Sequence, residues 1–332
     1  MRHVYTHFIQ QNAAPAGAKR IGVYDSDGNQ VTTIPLGRLT PPGGNPLYRF
    51  GLVSDIHLYP LAAVEWHPET KFDNALAYFE SEGCAFCVQC GDYTQTGLYM
   101  EGDADNLAPA QYAKYKEICD SHTIPVYGIT GNHENYVVPI TNNLEELKYY
   151  TGDDLYYTVA QGNDLFIFLG QPSAGEVMGN DALTWFADIL EANQDKRCFV
   201  FVHSYIEEDS GDPKDFRENS IFETWGYKND FLSLLRQYDN VILFHGHSHM
   251  KFECQKEDET ANYTEKNGFK SVHIPSLSRP RDLNTETEET PEDNAGSQGY
   301  IVDVYPDCIV LNGRDFVGGK WVPTGIIKID TK

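Results

Sequence analysis

Five short polar clusters, each directly after an apolar run of strand length, constrain this chain more than any other feature. They are Ser54-Asp55-Ile56-His57, Gly91-Asp92, Gly131-Asn132-His133-Glu134, His203-Ser204 and Gly246-His247-Ser248-His249. The runs ahead of them (50–53, 84–88, 125–129, 198–202 and 241–244), together with 165–169, read as buried strands. Helical patterns lie between the runs. Phe72, Ala75, Leu76 and Phe79 fall at i, i+3, i+4 and i+7, and their segment closes at Gly83. Residues 181–193 place Leu183, Phe186, Ile189 and Leu190 on one stripe with Asp181 as N-cap, and 229–238 is a shorter helix candidate. Strands alternating with helices predict an α/β fold. Loops at the carboxyl ends of such strands converge on one crevice, so clusters far apart in the chain describe a single site.

After His249 the pattern changes. Runs at 271–274, 300–305, 308–311 and 325–329 are extended, with few helix signals, and are expected to be antiparallel strands completing a second sheet. Near the start, 19–24 and 30–34 flank Asp27-Gly28, a strong hairpin turn signal. A Pro/Gly stretch at 41–46 follows. The expected architecture is two packed mixed β-sheets flanked by helices. Residues 1–47 would be a small β-hairpin extension and 48–332 the main domain, C-terminal strands included.

Charge narrows the partners. The formal net charge is −24, which disfavours long nucleic acids and anionic membranes, since both are usually bound through a basic patch. Part of the acidity lies in 284–294, which reads as a solvated loop. No apolar run approaches the ~20 residues that span a bilayer, and the first residues lack the apolar core of a secretory signal. Of seven cysteines, Cys84, Cys87 and Cys90 cluster as CAFCVQC; small thiols in an apolar run suit a buried strand better than a metal site. A reduced, cytoplasmic chain is expected.

The clusters carry metal-binding chemistry. Residues i and i+2 of an extended segment share a face, so Asp55/His57 and His247/His249 can each point one pair inward. Glycines at 91, 131 and 246 suit turns where backbone passes close to a ligand. At this point the chain resembles the calcineurin-like metallophosphoesterase superfamily, whose pattern D-x-H, G-D, G-N-H-E/D, H, G-H-x-H is present here in order. The resemblance implies two metal ions. Asp55, His57 and His249 would bind one, Asn132, His203 and His247 the other, and Asp92 would bridge them. It also implies that His133 assists the leaving group while a metal-bridging hydroxide attacks phosphorus. Imidazole and carboxylate donors without cysteine suit Mn, Fe or Zn.

Departures from related patterns narrow the reading. The arginines that protein phosphatases of this fold carry after Gly-Asp and before Gly-Asn-His-Glu are missing; Tyr93-Thr94-Gln95 and Thr130 stand there instead. The tyrosine ligand of purple acid phosphatases is replaced by Gln95. What remains is a small-molecule phosphoesterase, similar to cyclic-nucleotide phosphodiesterases, acting on a phosphodiester or phosphomonoester, the diester preferred. Candidate substrate contacts are Arg279, Arg281, Tyr93 and His67. A surface ion pair is the competing reading for the arginines, and a surface position for His67 and its neighbour Trp66. His245 is expected to be a packed residue. Specificity is expected in the loops 59–69, 136–143, 205–225 and 276–296. The alternative function is a metal-binding scaffold with little turnover, which the full set of ligand types argues against.

Overall fold

A computed structural model describes residues 20–24, 30–35, 37–41, 44–59, 65–95, 107–135, 140–142, 144–205, 225–254, 262–265, 268–282 and 292–331. The Asp27-Gly28 turn, His3, His7, most of the acidic stretch 284–294 and much of the four specificity loops (60–64, 136–139, 206–224 and 283–291) lie outside the described residues.

Two six-stranded mixed sheets form the centre of the molecule. In the first, parallel strands β3 (Tyr48–Val53), β4 (Phe86–Cys90) and β5 (Val126–Ile129) continue into antiparallel β12 (Gln298–Val304), β13 (Cys308–Asp315) and β14 (Lys320–Asp330), in the order β14-β13-β12-β3-β4-β5. The second comprises β6 (Tyr156–Gln161), β7 (Asp164–Leu169), β8 (Arg197–Phe201), β9 (Val241–His245), β10 (Tyr263–Thr264) and β11 (Lys270–His273). Its order is β10-β11-β9-β8-β7-β6, parallel except at the two edges. The early strands thus divide between the two sheets. Residues 271–274 differ from the expected antiparallel addition: β11 pairs parallel with β9 through His273 and His245. A separate antiparallel pair joins β1 (Arg20–Tyr24) and β2 (Gln30–Pro35).

Period-two patterning explains the layers. Phe166 and Phe168 of β7, Phe199 and Phe201 of β8, and Ile242 and Phe244 of β9 face the first sheet's Phe50, Phe86, Val88 and Val302. Their sequence neighbours Leu165, Ile167, Leu169, Val200 and Leu243 face the opposite side, against α4 (Asn180–Ala192) and α5 (Lys228–Gln237). Burial on both faces is why these strands read as unbroken apolar runs. On the outer face of the first sheet lie α1 (Pro68–Ser81), α2 (Leu107–Ser121) and α3 (Leu144–Thr151). Gly83, at φ 70°, follows the end of α1. Gly179, not Asp181, is the N-cap of α4, and Asp181 sits within its first turn. Cys87 and Cys90 are buried in β4, and all described thiols are free.

The segment after the hairpin is anchored to the main domain. Arg38 binds Asp303 and Glu82, and the Leu39 amide donates to Asn312 Oδ1 (2.7 Å). No helix among the described residues is long and apolar enough to cross a membrane.

Candidate metal centre

The clusters converge where the carboxyl ends of the parallel strands of both sheets meet. Those after β3, β4 and β5 come from one sheet and those after β8 and β9 from the other. Backbone bonds stitch the loops together: the Asp55 amide donates to Gly91 O (3.1 Å), Ile56 and His57 donate to Asp92 O (3.0 and 3.1 Å), and Gly246 donates to His203 O (3.1 Å). Close approach demands glycine at two of these turns. A Cβ at Gly91 would overlap the His203 ring, and one at Gly246 would overlap the Ser54 hydroxyl.

Aiming the side chains requires unusual backbone. Among the described residues six non-glycine positions have positive φ, and five of them are Asp55 (54°), His57 (52°), Asp92 (55°), His247 (71°) and His249 (63°). L-residues in this region cost on the order of 1 kcal/mol each, so the surrounding packing holds them there. The i, i+2 pairs therefore meet through left-handed turns and not through extended alternation.

Side-chain atoms of Asp55, His57, Asp92 and His249 lie within 4.8 Å of one another, as do those of Asp92, His203 and His247. Asp92 belongs to both groups. Asn132 joins the second, its Oδ1 3.1 Å from His203 Nε2. His57 Nε2 faces His249 Nε2 at 2.9 Å, and His249 Nε2 lies 3.1 Å from Asp55 Oδ1. His203 Nε2 lies 3.2 Å from Asp92 Oδ2, with its Nδ1 donating to Cys90 O (2.8 Å). That outer bond fixes the tautomer and turns Nε2 inward.

Electrostatics in the cluster follow from burial. Burial alone would raise Asp55, but His249 and His203 hold its carboxyl well below the usual carboxylate range. Asp92 is likewise held at about 2 against its burial, mainly by His203 and His133. Burial lowers His57 well below its ordinary value and His247 to about 3, so both are neutral near pH 7. His203 goes the other way: burial opposes its charge, yet Asp92 and Asp55 raise it to about 10. Two anionic carboxylates in so small a volume draw positive charge from whatever faces them.

His133 stands beside the cluster. Its ring centroid is 4.4 Å from that of His57, its Nδ1 donates to Gln95 O (2.6 Å), and its Nε2 lies 3.9 Å from Asp92 Oδ2. Glu134, quoted in the motif without a role, ties the loops: it accepts the amides of Gly131 (2.7 Å), Asp92 (3.1 Å) and Thr94 (3.0 Å). Gln95 also holds Arg279, through Oε1 and Nη2 at 3.0 Å.

Other candidates fall elsewhere. Tyr93 is no substrate contact: it is 1% exposed, its ring packs on Tyr115 (4.7 Å) in the helix-covered core, and its hydroxyl lies against Gly128. It points to the helix side of the sheet because Asp92 next to it points to the site. His67 is exposed at the head of α1. Its neighbour Trp66 is the one at the site, donating Nε1 to His57 O (3.3 Å). Arg281 forms the surface ion pair, with Glu292 at 3.1 Å. His245 is 1% exposed and packs near His273.

Comparisons with known proteins bear on the fold and the family. Superposition on a dimetal phosphatase from Danio rerio gives a TM-score of 0.61 at 16% identity, covering 87% of this chain and 100% of that one. Purple acid phosphatase PPD1 from yellow lupin (Lupinus luteus) seeds gives 0.55 at 14% identity, over 94% of this chain and 59% of that one. Both show the shared fold. No curated protein sequence matches the chain. The family of calcineurin-like phosphoesterases matches residues 48–251, well over half of the chain. The chain belongs to the calcineurin-like phosphoesterase family.

Proposed function

We propose that this protein hydrolyses a phosphoester with two metal ions held by the converging loops. Asp55, His57 and His249 hold one ion, Asn132, His203 and His247 the other, and Asp92 both. One observation carries the reading: two donor groups, buried except for the half-buried His247, share a single carboxylate, and Asp55 Oδ1 is buried beside them with His249 Nε2 at 3.1 Å but no aligned hydrogen bond. Such an atom is costly unless a cation meets it. The donors are nitrogen and oxygen only, which fits Mn, Fe or Zn. The described fold neighbour from Danio rerio is named a dimetal phosphatase, which supports the same reading.

When bound, two such ions supply Lewis acidity toward a phosphoryl group and bring water ionisation toward neutral pH. The chain's own residues do the rest. His203 and His249 keep their outer nitrogens on backbone carbonyls, so their inner nitrogens are oriented before any ligand arrives. His133 donates Nδ1–H to Gln95 O and so presents Nε2 to the site. Protonated at Nε2 as well, the imidazolium would pass that second proton to the departing alkoxide and return to the neutral Nδ1–H ring, with Asp92 opposing the burial that disfavours its charge.

The test is metal content of the purified protein, measured with hydrolysis of bis(p-nitrophenyl) phosphate and p-nitrophenyl phosphate. About two ions per chain together with turnover is the expected result. Metal without turnover of either ester would favour the scaffold reading, and no metal after reconstitution would overturn the site assignment.

A further inference from the structure

We propose that Arg279 makes this site selective for phosphomonoesters over phosphodiesters, with Gln95, Trp66 and Lys71 as the residues that position it. The inference rests on the two-ion reading and deepens it by naming the substrate class.

Arg279 lies on the segment after β11, which folds back against the site: its own carbonyl is 3.3 Å from His249 Nδ1, and the Arg281 amide donates to His249 O (2.7 Å). The guanidinium is held on three sides. Nη2 donates to Gln95 Oε1 (3.0 Å), its carbon lies 4.9 Å from the Trp66 ring centroid, and Nη1 is 3.5 Å from Glu292. The other Glu292 oxygen bonds Arg281. Gln95 and Trp66 are the same residues that touch His133 and His57, so the cation stands in the wall of the centre. Lys71 of α1, 5% exposed, donates to Ser278 O (2.6 Å) and Asn294 O (2.7 Å). Ser278 Oγ in turn donates to Asp55 O (3.2 Å). The backbone that carries Arg279 is thereby pinned to both a helix and a metal-ligand loop.

The carboxylate nearest this cation is distant and shared with Arg281. The Arg279 side chain is 11% exposed, yet Nε has no hydrogen-bond partner and that carboxylate is a loose 3.5 Å away. A buried donor fork of this kind matches phosphoryl oxygens.

A monoester has three unsubstituted oxygens and a charge near −2 at neutral pH, whereas a diester has two and a charge of −1. Were two oxygens taken up by the ions, only a monoester would retain one for the Arg279 fork. In a diester that position carries a carbon substituent, which leaves the buried donors unpaired. The proposed selectivity is opposite to the diester preference expected from the sequence.

The experiment uses the metal-loaded full chain, wild type against Arg279→Met. It measures calorimetric binding of inorganic phosphate and of dimethyl phosphate, and kcat/KM on p-nitrophenyl phosphate and bis(p-nitrophenyl) phosphate. Wild type is expected to favour the monoester-type ligand in both assays. Arg279→Met reduces that preference by roughly 10- to 100-fold, with metal content unchanged. Arg279→Lys keeps the charge without the fork and falls between, which also covers a Met variant that fails to fold. Gln95→Leu narrows the preference roughly threefold, and Gln95→Glu, which retains an acceptor, restores it. Equal weakening toward both ligand types, or an unchanged ratio, overturns the proposal while the two-ion reading stands. Absence of metal uptake overturns both.

Discussion

Buried carboxylates sit at both ends of the parallel strands, and the two ends treat them differently. At the amino end, Asp164 is 4% exposed and accepts Arg197 Nε (2.9 Å), Arg197 Nη2 (2.7 Å) and the Tyr48 hydroxyl (2.5 Å). Asp303, 1% exposed, is closed by Arg38 and Arg49 in the same way. At the carboxyl end, Asp55 and Asp92 are equally buried but face imidazoles and backbone amides. A guanidinium neutralises its carboxylate with a fixed charge and ends the matter. An imidazole can give up its proton where a guanidinium cannot, and then adds a lone pair beside the carboxylates, so the set suits a multivalent cation. Burial and residue type alone do not separate structural from functional acids; the identity of the partner does.

Substitutions can break this contrast. Asp92→Asn removes the carboxylate common to both donor groups. It is expected to lower metal occupancy below detection and turnover by on the order of 10⁴ or more, read by elemental analysis and phosphoester hydrolysis. His133 faces the carboxylates without closing either donor group, so His133→Ala should cost about 10²- to 10⁴-fold in kcat while metal content stays at the wild-type level. Metal loss in that variant would place His133 among the ligands instead.

The amino end should respond in the opposite sense. Arg197→Met strands Asp164 in a buried position, at a cost of about 3–5 kcal/mol in denaturant unfolding, with unchanged metal content per folded chain. Asp153 sharpens the comparison as a buried acid with neither guanidinium nor metal site. It accepts the Gly128 amide (3.0 Å), and burial raises its carboxyl to about 7 from 3.8. The folded chain therefore keeps a proton there that the unfolded chain releases, and this group costs stability as pH rises from about 4 to 7. Asp153→Asn should stabilise the protein by about 2 kcal/mol at pH 8 and by less at pH 5. An equal gain at both pH values would show that the carboxyl is already ionised in the folded chain at pH 5.

Much of the site was legible because its chemistry is local. A residue of the centre such as Asp55 or His247 follows a strand closely, so residue type and the preceding apolar run sit within a few positions of each other. The early strands and three of the helices were legible for the same reason: their apolar period is written in consecutive residues. The helix α2 was missed because its buried stripe is Gln111, Tyr112, Tyr115 and Ile118, whose polar groups dilute the apolar signal. The edge strand β6 was missed because it alternates between half-buried and exposed and carries no continuous run.

By itself, then, the sequence determined the family, the seven residues that gather at the candidate metal centre and the layered α/β class, since each depends on neighbours along the chain. Only the tertiary structure decided that β3 and β9 lie in different sheets, that β11 runs parallel to β9, that Trp66 rather than His67 reaches the site, and that Tyr93 turns away from it. It also set Gln95 between His133 and Arg279. Strand pairing and the reach of a side chain are fixed by contacts between residues many positions apart, and a linear pattern carries no record of which distant residue will be across the gap.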